Sequence, residues 1–169
     1  MKLFVIGYMG SGKTTLAKKL ATKMDLPFTD LDQCLEQKLK QNIPAIFSEK
    51  GELFFRKQER KLLHTFNNHT PEIISTGGGT PCYYDNMEWM KAHGVTLYLK
   101  LPPKALAKRL QESKIQRPLL ENIGNKIAYI EQHLSEREVF YNQAEIIVSG
   151  LSVDINALTA LLRTRFSMQ

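Results

Sequence analysis

The sequence predicts an α/β fold with three layers (α/β/α), in which a central parallel sheet of about five strands is covered by helices on both faces. Short continuous apolar runs, typical of strands buried on both faces, alternate with longer segments of helical apolar spacing. A glycine-rich stretch, residues 7–14, joins the first run to the first helical segment. This alternation favours right-handed crossovers between parallel strands.

The same periodicity orders the elements. The first strand stops at Gly7, and the first helix is stopped by the segment that ends at Pro27. The predicted strands are Leu3–Ile6, Phe28–Thr29, Glu72–Ser75, Val95–Leu99 and Glu145–Val148. The predicted helices are 16–24, Gln33–Lys40, Pro44–Ser48, Glu52–Phe66, Asn86–Ala92, Lys104–Gln111, Lys126–Tyr141 and Asp154–Thr164. No repeat or linker interrupts this order, so residues 1–169 are predicted to form a single domain.

One polar segment, about 112–125, lies between two predicted helices and carries Arg117 next to Pro118. Its length is near the upper limit of an ordinary connection, and such loops are often lids over a site. We therefore predict a lid here.

Composition excludes several classes of protein. The hydrophobic share of 43% and charged share of 24% are those of a globular protein. No stretch approaches the roughly 20 apolar residues of a membrane span, and the N-terminal apolar run is shorter than the about 7–15 residues of a signal-peptide core. We expect a cytoplasmic monomer without a membrane partner, whose two cysteines are free thiols. The net charge of +6 favours anionic partners, but the lysines are scattered over predicted helices, so no nucleic-acid partner is expected.

The strongest motif is Gly7–Thr14, which matches G-x-x-x-x-G-K-[ST] at every fixed position, between a predicted strand and a predicted helix. Inward-facing backbone N–H groups and the positive end of the helix dipole make such a P-loop a cradle for phosphates. Lys13 would reach the β- and γ-phosphates, and the Thr14 hydroxyl would join Mg²⁺. The expected ATP-binding residues are Gly10, Ser11, Gly12, Lys13, Thr14 and Thr15.

Two carboxylates, Asp30 and Asp32, close the second predicted strand, where parallel sheets bind ligands. One of them could hold Mg²⁺ through water while the other accepts the proton of an attacking hydroxyl. The alternative is a plain Asp cap on the helix that follows.

Glu52, Arg56 and Glu59 share one face of a predicted helix. They form either a surface ion-pair ladder or a site in which Arg56 presents its guanidinium to a substrate carboxylate and Glu59 orients the guanidinium.

Gly77, Gly78 and Gly79 follow a predicted strand directly. Because each added glycine costs conformational entropy, three in a row favour a ligand-binding surface over a plain turn.

Two further arginines are candidates. Arg117, in the predicted lid, could swing onto the transferring phosphoryl group and help to expel water. Arg137 has glutamates beside it, so an ion pair within its helix is the alternative.

In combination, these motifs resemble shikimate kinases over nearly the whole chain. They are, in order, Gly7–Thr14, Asp30-x-Asp32, the G-E-x-x-F-R-x-x-E pattern of 51–59, Gly77–Gly79, R-P-L-L at 117–120 and R-x-x-x-Y at 137–141. The P-loop occurs in many nucleotide-binding families, whereas the combination of all six motifs is specific for shikimate kinases. The resemblance implies a P-loop kinase fold and transfer of the γ-phosphoryl of ATP to the 3-hydroxyl of shikimate, on the route to chorismate and aromatic amino acids.

The resemblance also implies roles for single residues. The implied catalytic residues are Lys13, Asp32 and Arg117, with Asp32 as the candidate base, and the implied metal-side residues are Thr14 and Asp30, with Mg²⁺ as the cofactor. The substrate-binding region would span about 32–61. The implied substrate-binding residues are Asp32, Arg56, Glu59, Gly77, Gly78, Gly79 and Arg137, of which the two arginines clamp the carboxylate. Arg109 resembles the arginine that stacks on adenine, although an exposed helix residue is the alternative; Arg117 would join it at ATP.

The sequence departs from the family pattern at Ala17-Lys18, where glycine-arginine is usual, and at Val139-Phe140, where proline-leucine is usual. These positions concern local packing. Two rivals stay open: a gluconate or nucleoside monophosphate kinase with the same loop and lid, and a nucleotide-binding regulatory or nucleic-acid-binding protein.

Overall fold

The computed structural model describes residues 2–67, 70–113 and 125–167. Within them, five parallel strands form one sheet in the order β2-β3-β1-β4-β5. The strands are β1 (Lys2–Ile6), β2 (Phe28–Asp30), β3 (Glu72–Ser75), β4 (Gly94–Lys100) and β5 (Ile146–Ser149). The helices are α1 (Lys13–Met24), α2 (Leu31–Leu39), α3 (Ile43–Leu63), α4 (Asn86–His93), α5 (Pro103–Glu112), α6 (Lys126–Tyr141) and α7 (Ile155–Ser167). The predicted fold class is confirmed.

Alternation along β1 separates two hydrophobic cores, because successive side chains of a strand point to opposite faces. Phe4 and Ile6 join a core with residues of α2 to α6. Leu3 and Val5 join the other core, which contains residues of α1 and α7. Both faces of the sheet are therefore covered by helices, which is why β1 has no exposed residue.

The strand register brings three chain segments to one edge of the sheet. Val5 is paired with Ser75, and Asp30 is also paired with Ser75. Because all strands are parallel, the P-loop, the end of β2 and the triple glycine follow at the same carboxyl edge.

The helices predicted at Pro44–Ser48 and Glu52–Phe66 are the two parts of α3, which meet at a kink at Gly51, whose φ of 79° and ψ of 167° are not helical. One helix start differs from the prediction. The helix predicted from Gln33 begins at Leu31, because Asp30 caps it. Of the helices in the described ranges, none is long and apolar enough to cross a membrane.

Candidate active site

The P-loop curls tightly between β1 and α1. The Ser11 N–H donates to the Tyr8 carbonyl over 3.2 Å, and Gly12, with a φ of 95°, adopts the left-handed conformation that favours glycine. Lys13 is buried, and its Nζ donates to the same Tyr8 carbonyl over 2.9 Å. The lysine thus lies over the loop that is expected to bind phosphates.

Three oxygens meet where α1 crosses the carboxyl edge of the sheet. Thr14 Oγ1 donates to Asp30 Oδ2 over 2.9 Å and lies 3.2 Å from Ser75 Oγ. The other oxygen of Asp30 accepts the N–H groups of residues 32 and 33, so this carboxylate is both a helix cap and a partner of Thr14. Hard oxygen donors of this kind suit Mg²⁺. Ser75 was missed from the sequence, although a hydroxyl at the end of β3 was a usable signal.

In the described part of the chain, no group of three His, Cys, Asp or Glu side chains is placed to hold a metal ion. Mg²⁺ usually takes one or two carboxylates together with substrate phosphates and water. The pair of Thr14 and Asp30 fits that mode better than a cage made by protein alone.

A cavity of about 370 Å³ lies beside the P-loop, and we call it the P-loop cavity. Its lining includes Thr15, Arg109 and Gly150. Arg109 donates from Nη1 to the Ser11 carbonyl over 2.6 Å and from Nη2 to the Gly150 carbonyl over 3.3 Å. Although Arg109 is exposed, it is held at this cavity and is not a free surface side chain.

A second cavity, of about 170 Å³, lies on the other side of the loop, and we call it the arginine cavity. It brings together residues from five parts of the chain. Its lining is Met9, Asp32, Ile43, Pro44, Phe47, Phe55, Arg56, Glu59, Gly77, Gly78, Gly79 and Arg137. Phe55 belongs to the pattern of 51–59, but Ile43, Pro44 and Phe47 were not singled out from the sequence, since they look like ordinary core positions.

Arg56 and Glu59 are only 5% and 1% exposed, so they are not a surface ion-pair ladder. Arg56 Nη1 donates to Glu59 Oε2 over 3.1 Å. The other oxygen of Glu59 accepts the Thr80 hydroxyl over 2.6 Å. A buried carboxylate with several partners holds the guanidinium in place, which a solvated pair does not.

Gly77 leaves room between two carboxylates. An ideal Cβ at this position would lie 2.8 Å from Asp32 Oδ1 and 2.9 Å from Glu59 Oε1. Burial, followed by the charges of Glu59 and Asp30, raises the pKa of Asp32 to about 6, against the opposing effect of nearby cations. A carboxylate with this pKa is ionised at neutral pH and is still a useful proton acceptor.

Arg137 is 7% exposed, and its Cζ lies 5.8 Å from the centre of the Tyr8 ring. It lines the arginine cavity. One turn further along the helix, the Tyr141 hydroxyl donates to the Gly78 carbonyl over 2.5 Å. This bond ties α6 to the triple-glycine segment, and with it Arg137 to the cavity.

Arg117 and the predicted lid, apart from residues 112, 113 and 125, lie outside the described residues. His133 was not singled out from the sequence; it is half-buried, and its Nδ1 lies 2.8 Å from the Tyr8 hydroxyl. The pattern of α6 did not reveal this contact, because it depends on how the helix packs against the P-loop.

The family model described as "Shikimate kinase" matches residues 9–160. A shikimate kinase of Bacteroides fragilis is 44% identical over 151 residues, which are 87% of this chain and 83% of that protein. The crystal structure of shikimate kinase from Bacteroides thetaiotaomicron has a TM-score of 0.88 at 38% identity, covering 99% of this chain and 98% of that one. The structure of shikimate kinase from Acinetobacter baumannii in complex with shikimate has a TM-score of 0.87 at 29% identity, covering 99% and 94% of the two chains. The chain therefore belongs to the shikimate kinase family, and it is an ATP-dependent kinase.

Proposed function

We propose that the chain transfers the γ-phosphoryl group of ATP to the 3-hydroxyl of shikimate, giving shikimate 3-phosphate and ADP. The observation that carries this proposal is the arginine cavity, in which two buried arginines and two carboxylates surround a space beside the P-loop. Such a lining complements a small molecule that carries one carboxylate and several hydroxyls. The relative solved with shikimate supports the same acceptor.

On the donor side, the P-loop N–H groups and Lys13 would bind the phosphates, and Thr14 and Asp30 would hold Mg²⁺. When bound, Mg²⁺ neutralises charge that develops on the phosphate oxygens. Arg109 and Gly150 both line the P-loop cavity, and this position supports a contact of Arg109 with the adenosine end of ATP. Arg117, which is outside the described residues, is assigned to the transferred phosphoryl group because the sequence resemblance implies this role.

On the acceptor side, Arg56 and Arg137 bind the substrate carboxylate, and Gly77 to Gly79 line the space between them. Asp32 binds ring hydroxyls and accepts the proton of the 3-hydroxyl as its oxygen attacks the γ-phosphorus. ADP leaves as the bond from the bridging oxygen to the γ-phosphorus breaks. The raised pKa of Asp32 suits it to take this proton near neutral pH. We further propose that residues 1–169 act as one cytoplasmic, monomeric kinase domain.

A coupled assay of ADP release tests the proposal. Turnover should depend on shikimate and saturate, and neither gluconate nor a nucleoside monophosphate should replace it. Arg56→Ala should raise the KM for shikimate by about 100-fold or more with the KM for ATP nearly unchanged, because two charge-assisted hydrogen bonds to the substrate are lost. Lys57→Ala, at the exposed neighbouring position, is the matched control. Turnover with gluconate but not with shikimate would refute the proposed acceptor.

A further inference from the structure

The guanidinium of Arg56 is only partly engaged by protein. It has five N–H donors. In the described part of the chain, Nε and Nη2 each donate to Glu52 Oε1 over 3.1 Å, and Nη1 donates to Glu59 Oε2 over 3.1 Å. One N–H on each terminal nitrogen is left over, and a pair of terminal N–H groups can bind a carboxylate in a bidentate manner.

Glu52 holds this guanidinium from outside the arginine cavity. Its side chain is 46% exposed, and it is not among the described residues that line the cavity. An exposed glutamate has many rotamers, so its contact with Arg56 needs a further support to be well ordered.

Tyr83 supplies that support. Its hydroxyl donates to Glu52 Oε1 over 2.8 Å, to the same oxygen that accepts from Arg56. The centre of its ring lies 4.2 Å from Arg56 Cζ, so the ring also packs on the guanidinium. Tyr83 thus contacts Arg56 directly and fixes the carboxylate that orients it, without lining the cavity itself.

The protonation states keep this arrangement intact at neutral pH. Burial and the hydrogen bond to Glu52 raise the pKa of Tyr83, so its hydroxyl stays a donor. Burial acts to raise the pKa of Glu52, but the hydrogen bond from Tyr83 and the charge of Arg56 outweigh it and lower the pKa. The glutamate therefore stays ionised.

We propose that Tyr83 and Glu52 are positioning residues for the substrate carboxylate, which hold the Arg56 fork in the orientation that the substrate requires. This inference rests on the proposed function. Because the pair acts through Arg56 and lies away from the P-loop, its loss should weaken shikimate binding and leave ATP binding and the chemical step unchanged.

Tyr83→Phe tests the hydroxyl, since it keeps the ring. The KM for shikimate should rise about five- to tenfold, with kcat and the KM for ATP within twofold of wild type. Glu52→Gln should act in the same direction. Tyr84→Phe is the matched control, because this adjacent tyrosine is exposed, lies over Arg60 and should leave all constants unchanged. Melting temperatures of all variants distinguish a loss of orientation from a loss of folding.

A double-mutant cycle with Arg56→Lys tests whether Tyr83 acts through the fork, because lysine keeps the charge but has no fork. In that background, Tyr83→Phe should change the KM for shikimate by less than twofold. An equal increase in the KM for shikimate in both backgrounds would overturn the inference. A lower KM for shikimate in Tyr83→Phe would also overturn it, because Glu52 would then compete with the substrate for Arg56. If wild type itself shows no shikimate-dependent ADP release, the proposed function fails. If wild type is active and Tyr83→Phe behaves as Tyr84→Phe, only this inference fails.

Discussion

Replacing Gly79 with alanine should weaken shikimate binding by displacing the Arg56 guanidinium. An ideal Cβ at Gly79 would lie 2.5 Å from Arg56 Nη2, 2.6 Å from Nη1 and 2.7 Å from Cζ. The backbone does not oppose the substitution, because φ of −87° and ψ of −15° are accessible to alanine. The variant therefore tests the contact with Arg56 and not backbone strain.

The size of the effect follows from these distances. Non-bonded carbon contacts need about 3.5 Å, so the guanidinium must move by about 0.8–1 Å. Its hydrogen bonds to Glu52 and Glu59 are already 3.1 Å long, and a movement of this size breaks at least one of them. A lost hydrogen bond to a charged group costs about 1.5–3 kcal/mol, which corresponds to an increase of about 10- to 100-fold in the KM for shikimate.

Steady-state kinetics of Gly79→Ala should show this rise with the KM for ATP within twofold of wild type. Gly78→Ala is the comparison, because its Cβ would meet the Met9 backbone at 3.1 Å and would not reach Arg56 at such short range. Its effect on the KM for shikimate should be the smaller of the two. A KM for shikimate within twofold of wild type in Gly79→Ala, or a larger effect in Gly78→Ala, would refute the reasoning.

Three other predictions concern the rest of the site. Asp32→Asn should nearly abolish turnover with little change in ATP affinity, and it should raise the melting temperature at pH 8 but not at pH 4. The pKa of Asp32 in the folded protein is about 6, above the ordinary 3.8, so the protonated side chain stabilises the fold below about pH 4. This contribution, at most about 3 kcal/mol, is lost as the pH rises through 6. An equal change in melting temperature at both pH values would contradict this reasoning. Thr14→Val should raise the Mg²⁺ concentration for half-maximal activity at least tenfold. Thr22→Val, on the exposed side of the same helix, should leave this concentration unchanged. An equal Mg²⁺ dependence in both variants would exclude a role of Thr14 in metal binding. Arg109→Ala should raise the KM for ATP about tenfold, because Arg109 donates hydrogen bonds to two carbonyls at the P-loop cavity. Lys108→Ala, the control, should leave the KM for ATP unchanged. A change confined to the KM for shikimate would contradict the proposed role of Arg109.

The pattern of the sequence was sufficient for the fold because strands and helices differ in local periodicity. Each of the five strands was predicted within about two residues of its observed ends, as expected for boundaries read from a pattern. The division of the third helical region at Gly51 is confirmed by a kink, because the φ of 79° and ψ of 167° at this glycine are not helical. The start of α2 differs, because the cap at Asp30 adds two residues before Gln33.

The buried network around Arg56 could not be predicted from spacing alone. Glutamates at i−4 and i+3 of an arginine look the same on an exposed helix and on a buried one. Only the position of α3 against the triple-glycine segment buries this arginine and places Tyr83 over it. Ser75 and His133 were missed for the same reason, since their partners lie 61 and 125 residues away in the chain.

The sequence by itself determined the P-loop, because eight contiguous residues carry both the backbone conformation and the side chains that bind phosphates. Only the tertiary structure decided that Asp32, Arg56, Gly79 and Arg137 enclose one cavity, because they come from separate elements that meet at the carboxyl edge of the sheet. Burial and proximity of charge, which raise the pKa of Asp32 and hold the Arg56 fork, exist only once these elements are packed together.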